Sequence, residues 1–216
     1  MEFGYWGIKG LGEPSLWLIA YLKLDVKVNA EDFGAWFGGR NVTLGLDFPN
    51  LPYLIDGDFK LTESSAIPQY LANKSDKPCL NGKDIKEQAT IKMLEGVLSD
   101  LLQQVSKGFR NEACETHYKA TLDCDKGDAF YFLNQLSTFL GTKDFFIGHE
   151  TIFDFRFAYF YDWILQIAAK LGCNLDKFAN LKAHAQRVQE LPGVKELVAQ
   201  RQAVPFLPPG MLPFMD

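Results

Sequence analysis

The sequence lacks any long apolar run. No stretch of its 216 residues approaches the roughly 20 apolar residues that a membrane-spanning helix needs. The start, Met1 to Tyr5, has neither a basic flank nor an apolar signal core, and no Arg-rich, acid-poor transit segment follows. From these absences we expect no membrane span, no export signal and a cytoplasmic location.

Basic residues are in the minority. Lys and Arg number 22 against 27 Asp and Glu, which gives a net charge of −5, and the cations are scattered along the chain. Phosphate backbones are bound by clustered positive charge. We therefore expect no nucleic-acid partner.

Cysteine and histidine are few and widely spaced. None of these side chains forms a C-x-x-C pair or shows metal-ligand spacing. They are Cys79, Cys114, Cys124, Cys173, His117, His149 and His184. We expect reduced thiols and no metal site.

Apolar residues, in contrast, are plentiful, at 47% of the chain with 18 Phe. This composition excludes a disordered chain, and the length is enough for one large domain or two small ones. The pattern changes along the chain: short strand and helix signals alternate over about 75 residues, whereas apolar residues recur at three and four after residue 84. We expect domains at 1–78 and 84–216.

The first domain is predicted as βαβ followed by ββα. Residues 2–6 form a strand, Pro14 fits the first turn of a helix, and "LDVKVN" (24–29) alternates like a second strand. Residues 31–48 are predicted as a long loop, which is usually functional or mobile.

A hairpin and a helix complete this domain. "PYLI" and "FKLT" flank Asp56-Gly57, a dipeptide that favours a tight turn. Ser64 is predicted to begin a helix that runs to about Lys74.

The second domain is predicted to be all-helical. A helix from about Asp84 to Phe109 carries an apolar stripe, and Asp100 lies on the other side of it. A helix covers about 126–140, and Thr151 with Asp154 has the spacing of a capped helix start. That third helix is apolar nearly all round, which predicts burial. Two shorter helices and the non-helical apolar tail "VPFLPPGMLPF" follow.

Pro52 precedes the predicted strand Tyr53 to Ile55. Proline gives no N–H to a ladder and belongs at the first residue or the edge of a strand. A trans proline would only begin the strand, whereas a cis bond would leave the backbone of Leu51 free to bind an extended peptide. The residues alone leave both alternatives open.

Two segments carry a family resemblance. Tyr5-Trp6-Gly7-Ile8-Lys9-Gly10-Leu11 resembles the N-terminal motif of the mu-class glutathione transferases, and "LGLDFPNLPYLIDG" (44–57) is close to identical to the family's segment at this place. The resemblance implies an α/β plus all-α fold, in which a thioredoxin-like domain precedes an all-helical domain. It also implies reduced glutathione as co-substrate, no metal and a homodimer.

The resemblance implies how glutathione would be held. Leu51 and a cis-Pro52 would clamp its cysteine through the backbone, with Asn50 near its glycine end. Trp6 and Leu11 would also line this site.

The γ-glutamyl end would be held by Glu63 and Ser64. A carboxylate is favoured at a helix N-terminus, where Ser64 is predicted, and Glu63 would accept from the α-ammonium. Asp100 matches an acid that reaches the ligand of the opposite subunit.

Tyr5 would be the catalytic residue. A free thiol has a pKa of about 8.5, so only a small fraction is thiolate at pH 7. A phenol hydroxyl that donates to the sulfur favours the charged form and stabilises the nucleophile.

The loop differs from the family pattern at two positions. At the places where the family has a tryptophan and a lysine for the glycine carboxylate, this sequence has Phe37 and Asn41, with Trp36 and Arg40 one residue earlier. A slipped loop would let Trp36 and Arg40 do the same work. Small hydrophobic electrophiles would lie against an apolar wall, formed by Trp6, Gly7, Leu11, Phe109, Arg110 and Phe206.

Phe48 matches the aromatic residue by which such subunits insert into their partner. We therefore expect it at a homodimer interface.

Three functions are compatible with these residues. The first is an enzyme that conjugates glutathione to hydrophobic electrophiles in detoxification, a glutathione S-transferase. The second is a catalytically weak binding or assembly subunit with the same fold. The third is a glutathione-dependent isomerase or peroxidase that uses the same thiolate.

Overall fold

The structure, a computed structural model, describes residues 1–109, 113–123, 126–212 and 214–215. The chain divides into two units. The first contains Met1–Cys79 and Leu191–Leu207, and the second contains Leu80–Glu190 and Pro208–Asp216. The predicted bounds 1–78 and 84–216 stay a prediction, to which the structure adds that residues 191–207 belong with the first unit.

A four-stranded sheet forms the centre of the first unit. Its strands are β1 (Glu2–Trp6), β2 (Lys27–Glu31), β3 (Tyr53–Asp56) and β4 (Phe59–Thr62). The spatial order is β2-β1-β3-β4; β1 and β2 are parallel, and the other two pairs are antiparallel.

Local contacts explain the strand limits. β2 begins at Lys27, three residues later than predicted, because the Leu24 N–H still bonds the Ile19 carbonyl (3.1 Å) after the first helix. The hairpin lies where it is predicted, with Gly57 at φ +61° in the turn between β3 and β4.

Three regular helices belong to this unit: α1 (Glu13–Tyr21), α4 (Ala66–Lys74) and α10 (Val194–Gln200). Pro14 lies in the first turn of α1, as predicted. Both α4 and α10 pack against α1.

The segment predicted as a long loop contains helical turns instead. They are α2 (Phe33–Ala35), a π-helical turn at Trp36–Arg40 and α3 (Asn41–Thr43). Asp32 caps the first turn by accepting the Ala35 N–H at 2.8 Å. Burial of Trp36 holds the next turn against the sheet, whereas Gly39, at φ +120°, interrupts the helical geometry.

The second unit consists of helices in its described residues. They are α5 (Ile85–Ser106), α6 (Cys114–Thr121), α7 (Asp128–Leu140), α8 (Ile152–Leu171) and α9 (Ala179–Gln189). Asp84 caps α5 by accepting the N–H groups of Lys86 and Glu87. The sequence reading missed α6, whose eight residues carry too few apolar side chains for a clear period.

Helix α8 lies in the core of this unit, as its composition predicts. The capping box is formed: the Thr151 N–H donates to Asp154 Oδ2 at 2.8 Å, and the Thr151 hydroxyl donates to the same oxygen at 2.6 Å. The buried His184 of α9 lies 2.7 Å from Asp154 Oδ1, which joins the two helices.

Membrane-spanning helices and metal-binding clusters are absent from the described residues. None of the helices in the described ranges is long and apolar enough to cross a membrane. Within the same ranges, no group of three His, Cys, Asp or Glu side chains is arranged to hold a metal ion. Cys79, Cys114 and Cys173 are free thiols, and Cys124 lies outside the described residues.

Candidate active site

Tyr5 lies near the end of β1 and is 8% exposed. Two glycines allow the following chain to approach it. A Cβ at Gly10 would lie 2.5 Å from the Tyr5 hydroxyl oxygen, and a Cβ at Gly12 would lie 2.6 Å from its ring. The phenol therefore lies directly under the loop that joins β1 to α1. A larger residue at either glycine would displace the phenol or the loop.

The hydroxyl oxygen of Tyr5 accepts a hydrogen bond from the Leu11 N–H at 2.9 Å. Because this bond uses an oxygen lone pair, the hydroxyl proton stays available for donation. Burial raises the pKa of Tyr5 above its ordinary value, and the Leu11 N–H opposes that rise in part. Tyr5 is thus protonated at neutral pH and is suited to donate a hydrogen bond rather than to act as a base.

The segment before β3 has the backbone geometry that the resemblance implies. The Leu51–Pro52 bond is cis, and both residues are buried. The Leu51 N–H donates to Asn50 Oδ1 at 2.9 Å, and Asn50 Nδ2 donates to Glu63 Oε1 at 3.2 Å. Asn50 therefore joins the two predicted halves of the tripeptide site.

Glu63 has a backbone conformation that is rare for a residue with a side chain. Its φ is +81°, and its carbonyl accepts the N–H groups of both Ala66 and Ile67 at 3.1 Å. Such conformations cost free energy and are found preferentially at binding sites. Ser64 is half-buried in the turn before α4, which begins two residues later than predicted, at Ala66.

The four loop residues have different surroundings. Trp36 is only 4% exposed, and its ring stacks on Tyr53 with 6.2 Å between centroids and 8° between planes. Phe37 is 62% exposed. Asn41 is half-buried and accepts the Val42 N–H at 2.9 Å.

Arg40 pairs with the buried Glu31 at the end of β2. Its Nε donates to Oε2 and its Nη2 donates to Oε1 at 2.9 Å, while Nη2 also lies 3.3 Å from the Tyr53 hydroxyl. The Tyr53 hydroxyl donates to the same carboxylate at 2.6 Å. Two of the three guanidinium nitrogens are therefore engaged within the protein.

The cluster of Glu31, Arg40 and Tyr53, here called the Glu31 cluster, has shifted pKa values. The hydrogen bond from Arg40 holds the pKa of Glu31 below its ordinary value, against an opposing effect of burial. Burial first, and then the bond to Glu31, raise the pKa of Tyr53. Glu31 is thus a carboxylate and Tyr53 a neutral phenol at neutral pH.

Several predicted contacts for the electrophile lie in the first unit. The half-buried Trp6 ring packs near Phe33 (centroids 5.8 Å) and Phe37 (6.3 Å). Gly7 is exposed with open space around it, and Leu11 is 45% exposed. Phe206 is half-buried, and its carbonyl accepts the Gly10 N–H at 2.9 Å.

Other predicted residues lie elsewhere. On the second unit, Asp100 is exposed on α5, and the half-buried Phe109 packs against Trp163 with 5.5 Å between centroids. Arg110 lies outside the described residues. Phe48 of the first unit is 78% exposed.

The sequence reading missed the residues that surround Tyr5 and the loop. Gly10 and Gly12 cover Tyr5, and their spacing in "KGLGEP" was the available signal. Phe33 extends the aromatic group around Trp6, with its ring 4.7 Å from that of Phe37. No local pattern marked Glu31, because its partners come from distant parts of the chain.

The fold and this site define a class of protein. A βαβ-ββα sheet with a cis-proline before its third strand, joined to a separate helical unit, is a thioredoxin-like domain followed by a helical domain. The family model of the glutathione S-transferase N-terminal domain matches residues 1–73, and that of the C-terminal domain matches residues 99–201. The chain belongs to the glutathione S-transferase family.

Two relatives show how far the similarity extends. The class-mu 26 kDa isozyme of glutathione S-transferase from Schistosoma mansoni is 34% identical over 197 residues, covering 90% of this chain and 86% of the relative. A glutathione S-transferase from Tyrophagus putrescentiae is 32% identical over 209 residues, covering 92% and 89%. The resemblance to the mu class is confirmed.

A solved structure confirms the fold class. The chain superimposes on a pi-class glutathione S-transferase from Onchocerca volvulus with a TM-score of 0.83 and 24% identity, covering 98% of this chain and 99% of that structure. The predicted thioredoxin-like and helical domains are thus those of the family.

Proposed function

We propose that this glutathione transferase conjugates the thiolate of reduced glutathione to hydrophobic electrophiles, with Tyr5 as the catalytic residue. Its family membership and its class-mu relatives support the reaction. The observation on which the mechanism depends is that Tyr5 is neutral and accepts from Leu11, so that its proton is free to donate.

The hydrogen bond from Tyr5 would activate the thiol of glutathione. A hydrogen bond to a charged acceptor contributes about 1.5–3 kcal/mol, which corresponds to about one to two units of thiol pKa. The effect is larger in a site shielded from water. A thiol with a pKa of about 8.5 would then be substantially ionised at neutral pH.

Four residues of one subunit would hold the cysteine and γ-glutamyl parts of glutathione. Leu51 would pair with its cysteine through the backbone, beside Pro52. Because the Leu51 N–H now donates to Asn50, that side chain has to rotate away, toward the glycine end. Glu63 and Ser64 would bind the γ-glutamyl group. The rare backbone conformation of Glu63 would fix the positions of these two residues relative to each other.

The glycine carboxylate would meet residues of the loop. Arg40 directs Nε and Nη2 at Glu31, so Nη1 is the nitrogen that would reach the carboxylate. Asn41 and the exposed Phe37 would complete the contact, and Trp36 would support the loop from within the core.

Electrophiles would contact an apolar wall. Trp6, Gly7, Leu11 and Phe206 of the first unit would supply it. We also propose that the protein acts in the cytoplasm.

Turnover of an aryl halide by wild type and Tyr5→Phe tests the mechanism. We expect about an 8- to 25-fold loss of activity at pH 7, because the thiol pKa rises by about one to two units to its free value of about 8.5. Ultraviolet absorbance of the thiolate in the glutathione complex should show a midpoint about one to two pH units higher.

Tyr70→Phe is the matched control, because it removes a phenol hydroxyl of the same unit that bonds the carboxylate of Asp56, away from Tyr5. It should keep wild-type activity. Retained binding to immobilised glutathione in Tyr5→Phe separates loss of activation from loss of binding. Unchanged activity in Tyr5→Phe would refute the role of Tyr5, and an inactive wild type that still binds glutathione would favour the weak binding subunit.

The active form is proposed to be a homodimer. Phe48 would insert into the partner's helical unit, and Asp100 would reach the γ-glutamyl ammonium of the partner's ligand. Phe48→Ala should elute as a monomer in gel filtration at micromolar concentration, because buried aromatic anchors carry much of an interface's free energy. Tyr131→Ala removes a comparably exposed ring and should leave the dimer intact. A monomeric wild type would contradict this proposal.

A further inference from the structure

The loop that covers Tyr5 is held by a distant part of the chain. The Lys9 N–H donates to the Pro205 carbonyl at 2.8 Å, and the Gly10 N–H donates to the Phe206 carbonyl at 2.9 Å. These are backbone contacts, so they fix the path of the loop without reference to side-chain identity. We name residues 201–207 the tail segment.

The next N–H along the loop reaches the candidate catalytic group. It belongs to Leu11, and it donates to the Tyr5 hydroxyl oxygen at 2.9 Å. Three consecutive backbone donors, at positions 9, 10 and 11, are therefore divided between the tail segment and the phenol. A shift of the tail segment would move the donor that orients Tyr5.

One ion pair fixes the start of the tail segment. Arg201 Nε lies 3.1 and 2.9 Å from the two carboxylate oxygens of Glu13, and Nη2 lies 2.8 Å from Oε2. Glu13 is the first residue of α1 and is 1% exposed, and its N–H donates to the Lys9 carbonyl at 3.0 Å. The pair therefore links the tail segment to the same loop from the other side.

The helix before the tail segment is also closely fitted. Gly193 has φ +84°, and a Cβ there would lie 2.4 Å from the Ala20 carbonyl oxygen. α10 thus begins in contact with the end of α1, and Arg201 ends it beside the start of α1. Both ends of α10 are fixed to one helix, which leaves the tail segment little freedom.

We propose that Arg201 is a positioning residue for catalysis. Through Glu13 and the tail segment, it holds the loop so that the Leu11 N–H meets Tyr5 and the phenol points its proton at the sulfur. This inference rests on the proposed function of Tyr5. The Leu11 N–H, by donating to the phenol oxygen, polarises the Tyr5 O–H group and strengthens the hydrogen bond that Tyr5 donates to the sulfur. If Leu11 is displaced, the activation of the thiol is therefore weaker.

A purely structural ion pair would affect stability alone, and the test separates the two roles. The variants are Arg201→Met, Arg201→Lys and the double variant Glu13→Gln with Arg201→Met, which buries no charge. The thiolate midpoint of the glutathione complex is measured by ultraviolet titration, and affinity is measured with S-methylglutathione, which has no thiol to ionise.

We expect Arg201→Met and the double variant to raise the thiolate midpoint by about half to one pH unit. At pH values below the midpoint, this shift lowers the thiolate fraction about 3- to 10-fold. Turnover should fall in the same ratio at low pH and recover at high pH, where the thiol is ionised in every variant. Affinity for S-methylglutathione should stay within about twofold. Arg201→Lys keeps the charge but not the two-pronged contact, and it should give an intermediate midpoint.

Arg187→Met is the matched control. It removes another arginine that pairs with a carboxylate, that of Asp144 at 2.9 Å in the second unit. It should leave the midpoint unchanged. An unshifted midpoint in the double variant overturns the proposal, whatever the midpoint of Arg201→Met. The double variant is decisive because it removes the ion pair of Glu13 and Arg201 without leaving a buried charge unpaired.

Tyr5→Phe distinguishes the two levels of the argument. If wild type shows no thiolate near neutrality, the proposed function of Tyr5 fails. If wild type shows thiolate and Tyr5→Phe loses it while the Arg201 variants keep the wild-type midpoint, only the role of Arg201 fails.

Discussion

Two buried carboxylates, one in each unit, have opposite surroundings. Glu31 of the first unit meets the cationic Arg40 from the loop and the Tyr53 hydroxyl from β3. Asp154 of the second unit accepts from the Thr151 N–H and hydroxyl at the start of its own helix, and from His184. The Glu31 carboxylate joins segments that bury few apolar side chains. The Asp154 carboxylate lies at the start of a helix that is itself buried in a large hydrophobic core.

The difference shows where each unit obtains its order. In the second unit, aromatic rings pack around Asp154: Phe146 lies 4.8 Å from Phe153 and 4.9 Å from Phe157 between centroids. In the first unit, the segment after β2 exposes Phe33 and Phe37 to solvent and is held by the Glu31 cluster and Trp36. This segment thus depends on polar contacts as well as on Trp36, and pH affects polar contacts more readily than packing.

Removal of Asp154 should have the largest effect. Asp154→Ala deletes four hydrogen bonds, from the Phe146 N–H, the Thr151 N–H, the Thr151 hydroxyl and His184. We expect a loss of about 3–5 kcal/mol in the free energy of unfolding, because buried donors lose their acceptor. Urea unfolding measures this loss.

Asp162→Ala, on the same helix, is the control. It removes one exposed hydrogen bond from Gln166 and should cost less than about 0.5 kcal/mol in the free energy of unfolding. Equal losses would contradict the special role of Asp154.

Glu31→Gln should have a smaller and pH-dependent effect. It leaves Arg40 without its anionic partner, and we expect a loss of about 2–3 kcal/mol at pH 7. The folded-state pKa of Glu31 is lowered, so its contribution is present above the unfolded value of about 4.5 and is lost as the pH falls through the folded value. The difference between wild type and Glu31→Gln should therefore shrink at and below pH 4.

Chemical unfolding at pH 7 and at pH 4 or below measures this change. Asp58→Asn, in the exposed hairpin turn, is the control for loss of a carboxylate. A difference between wild type and Glu31→Gln that stays constant across this range would show that the charge of Glu31 does not stabilise the loop.

Two glycine substitutions should give the smallest effects, of opposite sign. Gly12→Ala would place a methyl group 2.6 Å from the Tyr5 ring and should destabilise by about 1–2 kcal/mol while lowering activity. Gly96→Ala meets nothing within 4 Å on α5 and should stabilise by about 0.5–1 kcal/mol, because alanine favours helix. Thermal unfolding with parallel activity assays measures both. A stabilising Gly12→Ala would show that the loop over Tyr5 is not closely packed.

Much of the fold could be predicted because its signals are local. The short strand β1, Gly57 in the hairpin, Pro14 in α1 and the Thr151 cap each depend on a few neighbouring residues, and the structure has each of them. Helix α6 was missed because it carries too few apolar side chains for a clear period. The turns after Asp32 were missed because they depend on a contact between residues distant in sequence, that of Trp36 with Tyr53.

The candidate site divides in the same way. Tyr5, Leu51, Pro52 and Glu63 could be predicted as site residues because they lie in short segments that resemble one family. Their geometry required the structure: Asn50 bridges Leu51 and Glu63, and Arg40 turns toward Glu31.

The sequence by itself determined the two kinds of domain, the family and the phenol proposed for the chemistry, since periodicity, turn residues and motifs are written in adjacent positions. Only the tertiary structure decided what orients that phenol. Glu13 and Arg201 are 188 residues apart, and no local pattern relates them. They meet because α10 packs on α1, and hydrophobic burial over whole helices, rather than any short motif, brings those helices together.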